Sequence, residues 1–124
     1  PKEMSRLTGF SVKEIESSRI KAAADFAKEY NLTVILKGAN TVVACSDGEI
    51  FINTTGNSGM ATGGSGDVLS GILVSLLAQG YSEKEAAVTA VYIHGLAGDN
   101  AAKKLTKRSM IASDLIEELK FIPY

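Results

Sequence analysis

Gly56-Asn57-Ser58-Gly59-Met60-Ala61-Thr62-Gly63-Gly64-Ser65-Gly66-Asp67 runs directly into the apolar stretch Val68 to Leu77. Five glycines in this run leave backbone without side chains, so amide N–H groups can crowd around one point. A helix N-terminus behind them adds partial positive charge. The combination suits a phosphate, and the carboxylate of Asp67 places a base beside it. A flexible Gly/Ser linker is the bland alternative. Against it, the run lies between a strand-like segment and an apolar helix, and it contains Met60, Ala61 and Thr62. Aspartate also caps helices without any chemistry, but capping alone leaves its place straight after Gly-Gly-Ser-Gly unexplained. Spacing excludes two other phosphate loops. A P-loop ends in Gly-Lys-Ser/Thr, whereas Gly66 precedes Asp67, and the dinucleotide fingerprint needs a glycine where Leu69 stands.

Outward from the loop, the chain alternates helical and strand signals. Residues 3–7 predict a short helical turn ending at Thr8-Gly9. Ser11 with Glu14 forms a capping box that predicts one helix to about Tyr30, stopped at Asn31. Thr33-Val34-Ile35-Leu36 is a continuous apolar run of the kind found in buried parallel strands. Val42 to Ser46 and Glu49 to Asn53 flank Asp47-Gly48, a strong hairpin signal. A helix from about Asp67 to Ala78 closes at Gly80, and Ser82 with Glu85 opens an alanine-rich helix to about Lys104. Ser113 is expected to cap a last helix through Leu119 or Lys120. These elements predict an α/β layered domain. Three visible strands make a small sheet for so many helices, so the chain reads as part of a larger sheet. Its unfinished edge predicts self-association or a covering partner.

The chain has 124 residues, enough for one small domain, with 45% hydrophobic and 22% charged residues. A net charge of −1 supplies no basic field to recruit nucleic acid or anionic membrane. Lys103, Lys104, Lys107 and Arg108 cluster near a predicted helix end, where cations offset the dipole. The single cysteine, Cys45, rules out a disulfide framework within the chain and reads as a small hydrophobe. No run approaches a membrane-spanning length and no signal peptide opens the chain, so a cytoplasmic location is expected. His94, the one histidine, lies in the alanine-rich helix with no Ser or Cys placed as its nucleophile, and is expected to be structural. Tyr81 and Tyr92 read as packing residues.

The segment Asn57 to Leu69 closely resembles the signature of the ADP/ATP-dependent NAD(P)H-hydrate dehydratases, a carbohydrate-kinase-related family of the ribokinase-like superfamily. Leu36-Lys37-Gly38-Ala39-Asn40-Thr41, Val91 to Asp99 and Glu3 to Gly9 are similar to that family too, so the resemblance covers essentially the whole chain. Gly-Gly-Ser-Gly-Asp is shared by many ribokinase-like kinases, and the Asn-Ser-Gly-Met-Ala-Thr before it is far more specific.

The resemblance implies a three-layer α/β/α fold, represented here by a C-terminal segment over residues 1–124. It also implies roles. Lys37, Gly38, Ala39, Asn40 and Thr41 would contact the adenine nucleotide. Ser58, Gly59, Met60, Ala61, Thr62, Gly63, Gly64, Ser65 and Gly66 would wrap its phosphates, with Gly63 to Gly66 as an anion hole. Asp67 would touch the substrate and act as the base on its hydroxyl. The implied reaction dehydrates hydrated NAD(P)H at the expense of ADP or ATP, with Mg²⁺ accompanying the nucleotide. No residue set forms an obvious metal cage, which suits Mg²⁺ held by phosphates and water. A His-Pro pair precedes the Glu-Met stretch in the family; here the chain opens at Pro1, and a nucleotide-side portion of such an enzyme is expected. Two other functions share the core motif: a small-molecule alcohol kinase, and a non-catalytic nucleotide-binding fragment.

Overall fold

The computed structural model describes residues 1–123, and the chain divides into two compact units that meet at Ile52 and Asn53.

The first unit contains helices α1 (Lys2–Thr8), α2 (Val12–Ser17) and α3 (Arg19–Tyr30), then strands β1 (Val34–Leu36), β2 (Val42–Ala44) and β3 (Ile50–Ile52). Gly9 closes α1 in the left-handed conformation, with its N–H on the Ser5 carbonyl. The single helix expected from Ser11 to Tyr30 is two helices. The capping box at Ser11 and Glu14 forms as read, but Ser18 leaves helical geometry at φ −145°, ψ 47°. Consecutive serines explain the break, since their hydroxyls compete for backbone acceptors, and Ser17 Oγ bonds the Glu14 carbonyl at 2.8 Å. Asn31 ends α3 in the left-handed region at φ 50°, as its position predicted.

The sheet has the order β1-β2-β3. The Asp47-Gly48 hairpin forms, pairing Val43 with Phe51. β1, expected to be a parallel strand, instead pairs antiparallel with β2, Val34 opposite Ala44 and Leu36 opposite Val42. Its continuous apolar run reflects burial rather than direction. Val34, Leu36, Val42 and Ala44 form one core with Met4, Ile15, Ala23 and Ala27 from the helices. Val43, on the other face, is also fully buried. Cys45 is buried, in line with a small hydrophobe. β3 carries Ile50, Phe51 and Ile52, all exposed.

The second unit contains a 3₁₀ turn (Ser58–Met60) and helices α4 (Ser65–Ala78), α5 (Glu83–Leu105) and α6 (Ala112–Leu119). Leu69, Ile72 and Leu76 form the buried stripe of α4 at helical spacing. α5 buries Ala86, Ala87, Ala90, Ala97 and Ala101, whose small side chains let neighbouring elements approach closely. Leu115 of α6 is completely buried against Ala101 and Met110. The expected cap of α6 is displaced. Ile111 is the N-cap and Ser113 lies within the first turn, while Asp114 Oδ2 accepts the Ile111 N–H at 2.7 Å. Lys103 and Lys104 fall in the last turn of α5, where the dipole favours cations. Lys104 reaches the buried Glu118 at 2.7 Å. Tyr81 and Tyr92, expected to pack, are exposed. Among the described residues no helix is long and apolar enough to cross a membrane.

The capping boxes at Ser11–Glu14 and Ser82–Glu85 have a consequence in acid. Hydrogen bonds from the serine hydroxyl first, and the serine backbone N–H second, hold Glu14 and Glu85 below the ordinary carboxylate value of 4.5. A depressed folded value stabilises the helix start above the unfolded pKa and is lost as pH falls through the folded one. NMR titration is expected to place both carboxylates below 4.5, with Ser82→Ala moving Glu85 back toward 4.5. A Glu85 that already titrates at 4.5 would show that the box does not form in solution.

Candidate functional site

The glycine run is fastened along α5 before it reaches α4. Asn53 Nδ2 donates to the Val91 carbonyl at 3.1 Å, and Thr55 Oγ1 lies 3.0 Å from the Tyr92 carbonyl. Those carbonyls already serve the helix, and their second lone pairs are reachable because the residue above them is Gly95. A helical Cβ leans toward the preceding turn. At position 95 it would collide with Thr55, coming within 2.7 Å of the Thr55 carbonyl carbon.

One turn further along α5, Asp99 takes two donors. Its Oδ2 accepts the Gly56 N–H and its Oδ1 accepts Asn57 Nδ2, both at 2.9 Å. Asn57 in turn caps the 3₁₀ turn, its Oδ1 accepting the Gly59 N–H at 2.9 Å. Met60 then packs across Gly98, where an added Cβ would lie 2.6 Å from Met60 Cγ. Gly59 is pressed against the Lys107 carbonyl and the Met110 sulfur. The loop is therefore a bonded strap and not a free linker.

The strap delivers Gly63 and Gly64 to the start of α4. Gly64 is the N-cap at φ 86°, a left-handed conformation that favours glycine, and it offers no side chain to satisfy the first-turn amides. Gly63 is exposed, and a Cβ there would meet nothing within 4 Å. Among the described residues neither strain nor packing calls for glycine at 63. Asp67 stands exposed in the first turn of α4. Ser65 is buried, and His94 Nε2 lies 2.9 Å from its carbonyl oxygen and 3.3 Å from its hydroxyl. The half-buried His94 thus ties α5 to the first residue of α4, in keeping with the structural role expected of it.

The other expected segment, Lys37 to Thr41, belongs to the first unit, where it connects β1 to β2. Lys37, Gly38, Ala39 and Asn40 are exposed. Thr41 Oγ1 donates to the Gly38 carbonyl at 3.2 Å, and Asn40 turns the chain at φ 55°. Among the described residues no three His, Cys, Asp or Glu side chains converge as metal ligands do.

Comparison with known proteins gives the fold its class. A solved ribokinase-like superfamily protein from Enterococcus faecalis superposes with a TM-score of 0.82 at 35% identity, over 96% of this chain and 40% of that one. The fold is ribokinase-like α/β. The family model for NAD(P)H-hydrate dehydratase matches residues 1–120. The chain belongs to the NAD(P)H-hydrate dehydratase family.

Among relatives, the bifunctional NAD(P)H-hydrate repair enzyme of Moorella thermoacetica is 48% identical over all of this chain and 23% of its own length. The ADP-dependent (S)-NAD(P)H-hydrate dehydratase of Bacillus subtilis is 34% identical over 96% of this chain and 43% of its own. A crystal structure of the Bacillus subtilis ADP/ATP-dependent dehydratase, co-crystallised with ATP and Mg²⁺, gives a TM-score of 0.94 at 33% identity. It is covered over 44% of its length by 98% of this chain. The chain thus spans less than half the length of these relatives.

Three residues that organise the two segments were not singled out as site residues by the sequence: Asp99, Asn53 and Arg19. Each is one polar side chain whose partner lies far along the chain, 43 positions away for Asp99 and Gly56. Asp99→Ala removes two charge-assisted acceptors and is expected to cost about 2 kcal/mol in urea unfolding. Hydrogen exchange at Gly56 and Gly59 should rise with it. Gly95→Ala should cost more than Gly98→Ala, because it strikes the Thr55 backbone and not only a flexible methionine. Equal, small effects of both glycine substitutions would contradict the strap.

Proposed function

We propose that the chain carries the nucleotide side of a dehydratase that repairs hydrated NADH and NADPH by phosphorylating the substrate hydroxyl. The observation that carries this reading is the start of α4. The glycine N-cap leaves first-turn amides without a side-chain acceptor, the open Gly63 lets a ligand approach the backbone, and Asp67 is exposed immediately beyond. Gly63, Gly64, Ser65 and Gly66 would cradle the transferring phosphoryl group, with Ser58, Gly59, Met60, Ala61 and Thr62 shaping the approach. Lys37, Gly38, Ala39, Asn40 and Thr41 would contact the adenine nucleotide. Relatives named ADP-dependent dehydratases, and the Bacillus subtilis crystal with ATP and Mg²⁺, support the nucleotide class.

In this reading Asp67 accepts the proton of the substrate hydroxyl as its oxygen attacks the terminal phosphorus of ADP or ATP, and the bridging P–O bond breaks. The nucleotide leaves one phosphate shorter. The carbon–oxygen bond of the phosphorylated hydrate then breaks, inorganic phosphate departs, and loss of a proton from the adjacent ring carbon restores the dihydronicotinamide. Amides at the start of α4 stabilise charge on the phosphoryl oxygens without reorganising. Mg²⁺, held by nucleotide phosphates and water, would neutralise phosphate charge, in line with its usual few-carboxylate coordination. The reaction is that of a lyase in metabolite repair and fits a cytoplasmic setting. The exposed apolar β3 favours a covering partner or self-association.

Asp67→Asn in the intact protein keeps the side-chain size and removes the base. Nucleotide-dependent recovery of NADH absorbance from hydrated NADH is expected to fall at least about 100-fold, while ADP binding by calorimetry changes little. Undiminished turnover would remove Asp67 from the chemistry. A stable phosphorylated alcohol as the product would point to a kinase instead.

A further inference from the structure

We infer that Arg19 is a positioning residue for the nucleotide-contacting turn Lys37–Thr41, a role that rests on the function proposed above. Arg19 opens α3, the helix whose Ala23 and Ala27 pack into the core beneath β1 and β2. Its guanidinium reaches the β1–β2 connection. Nη2 donates to the Leu36 carbonyl at 3.0 Å, and Nη1 donates to the Ala39 carbonyl at 2.7 Å. One planar group therefore spans the two ends of Lys37-Gly38.

Gly38 is the complement of that fork. A Cβ at position 38 would lie 2.6 Å from Nη2 and 2.8 Å from both Cζ and Nη1, so the guanidinium occupies the space of a side chain there. The glycine of the Lys37-Gly38 pair answers to Arg19 as well as to any ligand. Arg19 Nε is buried and has no hydrogen-bond partner. Leaving that donor unsatisfied is costly, and the two bonds to the turn carbonyls offset that cost.

The guanidinium has no carboxylate partner among the described ion pairs. Its positive charge lies against the carbonyls that flank Lys37-Gly38. One guanidinium holding both carbonyls restricts the backbone between Leu36 and Ala39. Arg19 thus prepays the ordering that nucleotide binding would otherwise require.

The test compares the intact protein with Arg19→Lys and Arg19→Met. Lysine can serve one carbonyl as a point donor but cannot span both. Amide hydrogen exchange across 37–41 is expected to accelerate about tenfold in Arg19→Met, and less in Arg19→Lys, with the β2 amides unchanged. Nucleotide KM should rise about tenfold in Arg19→Met with kcat within about threefold, since the reacting groups are untouched. Exchange that rises evenly over the first unit, or a localised rise with an unchanged nucleotide KM, would overturn the assignment. A wild-type protein that turns over normally while Arg19→Met leaves KM alone sinks only the role of Arg19. A wild-type protein that binds no adenine nucleotide sinks the proposed function, and the positioning role with it. Adding Gly38→Ala supplies a second check, because it should be better tolerated in the Arg19→Met background than alone.

Discussion

The carboxylate of Asp99 holds the beginning of the glycine run by two bonds of equal length, one to the Gly56 amide and one to the Asn57 side chain. The run from there to Asp67 starts from that attachment. A glycine-rich segment left to itself samples many conformations, and each fixed residue costs roughly 1–2 kcal/mol of backbone entropy. The ordering is assembled from side-chain acceptors on a rigid helix, from the capped 3₁₀ turn at Ser58–Met60, and from Met60 seated over Gly98. Gly95 and Gly98 are as much part of this device as the polar groups, since a side chain at 95 would strike the Thr55 backbone and one at 98 would displace Met60.

The same logic recurs in the first unit with the polarity reversed. There a cation, Arg19, fixes carbonyl oxygens of an exposed turn; in the second unit an anion, Asp99, fixes amide donors of an exposed loop. In both cases glycines stand among the residues offered to solvent, and a charged side chain from a helix bonds the backbone beside them. His94 makes a third such tie, from α5 to the Ser65 carbonyl. Rigid helices thereby supply the precision that loops lack on their own, the arrangement a phosphoryl-transfer site requires.

Local chemistry was legible in the sequence wherever cause and effect are close together in the chain. The Asp47-Gly48 hairpin, the two serine–glutamate capping boxes and the stop at Asn31 formed where their residues stand. Burial without direction was also legible. Val34 to Leu36 is a buried strand, but an apolar run cannot say which way its neighbour points, and the neighbour is antiparallel. The break at Ser18 and the cap at Ile111–Asp114 turned on competition between adjacent polar groups that a capping pattern does not rank. Family membership was carried by the residues around Gly-Gly-Ser-Gly-Asp, and the match over residues 1–120 bears it out. Arg19 left no local pattern, and Asp99 was read only as the end of a family-like stretch, because each acts on groups distant in sequence.

In the proposed function, hydroxyl phosphorylation and phosphate loss occur in one site built around the α4 N-terminus. The most direct measurement follows inorganic phosphate and NADH absorbance together when the intact protein meets hydrated NADH, Mg²⁺ and either ADP or ATP. The account predicts one phosphate released for each reduced nicotinamide restored, and neither signal without nucleotide. Nucleotide consumed with phosphate retained on the organic product, or NADH restored without nucleotide, would contradict it.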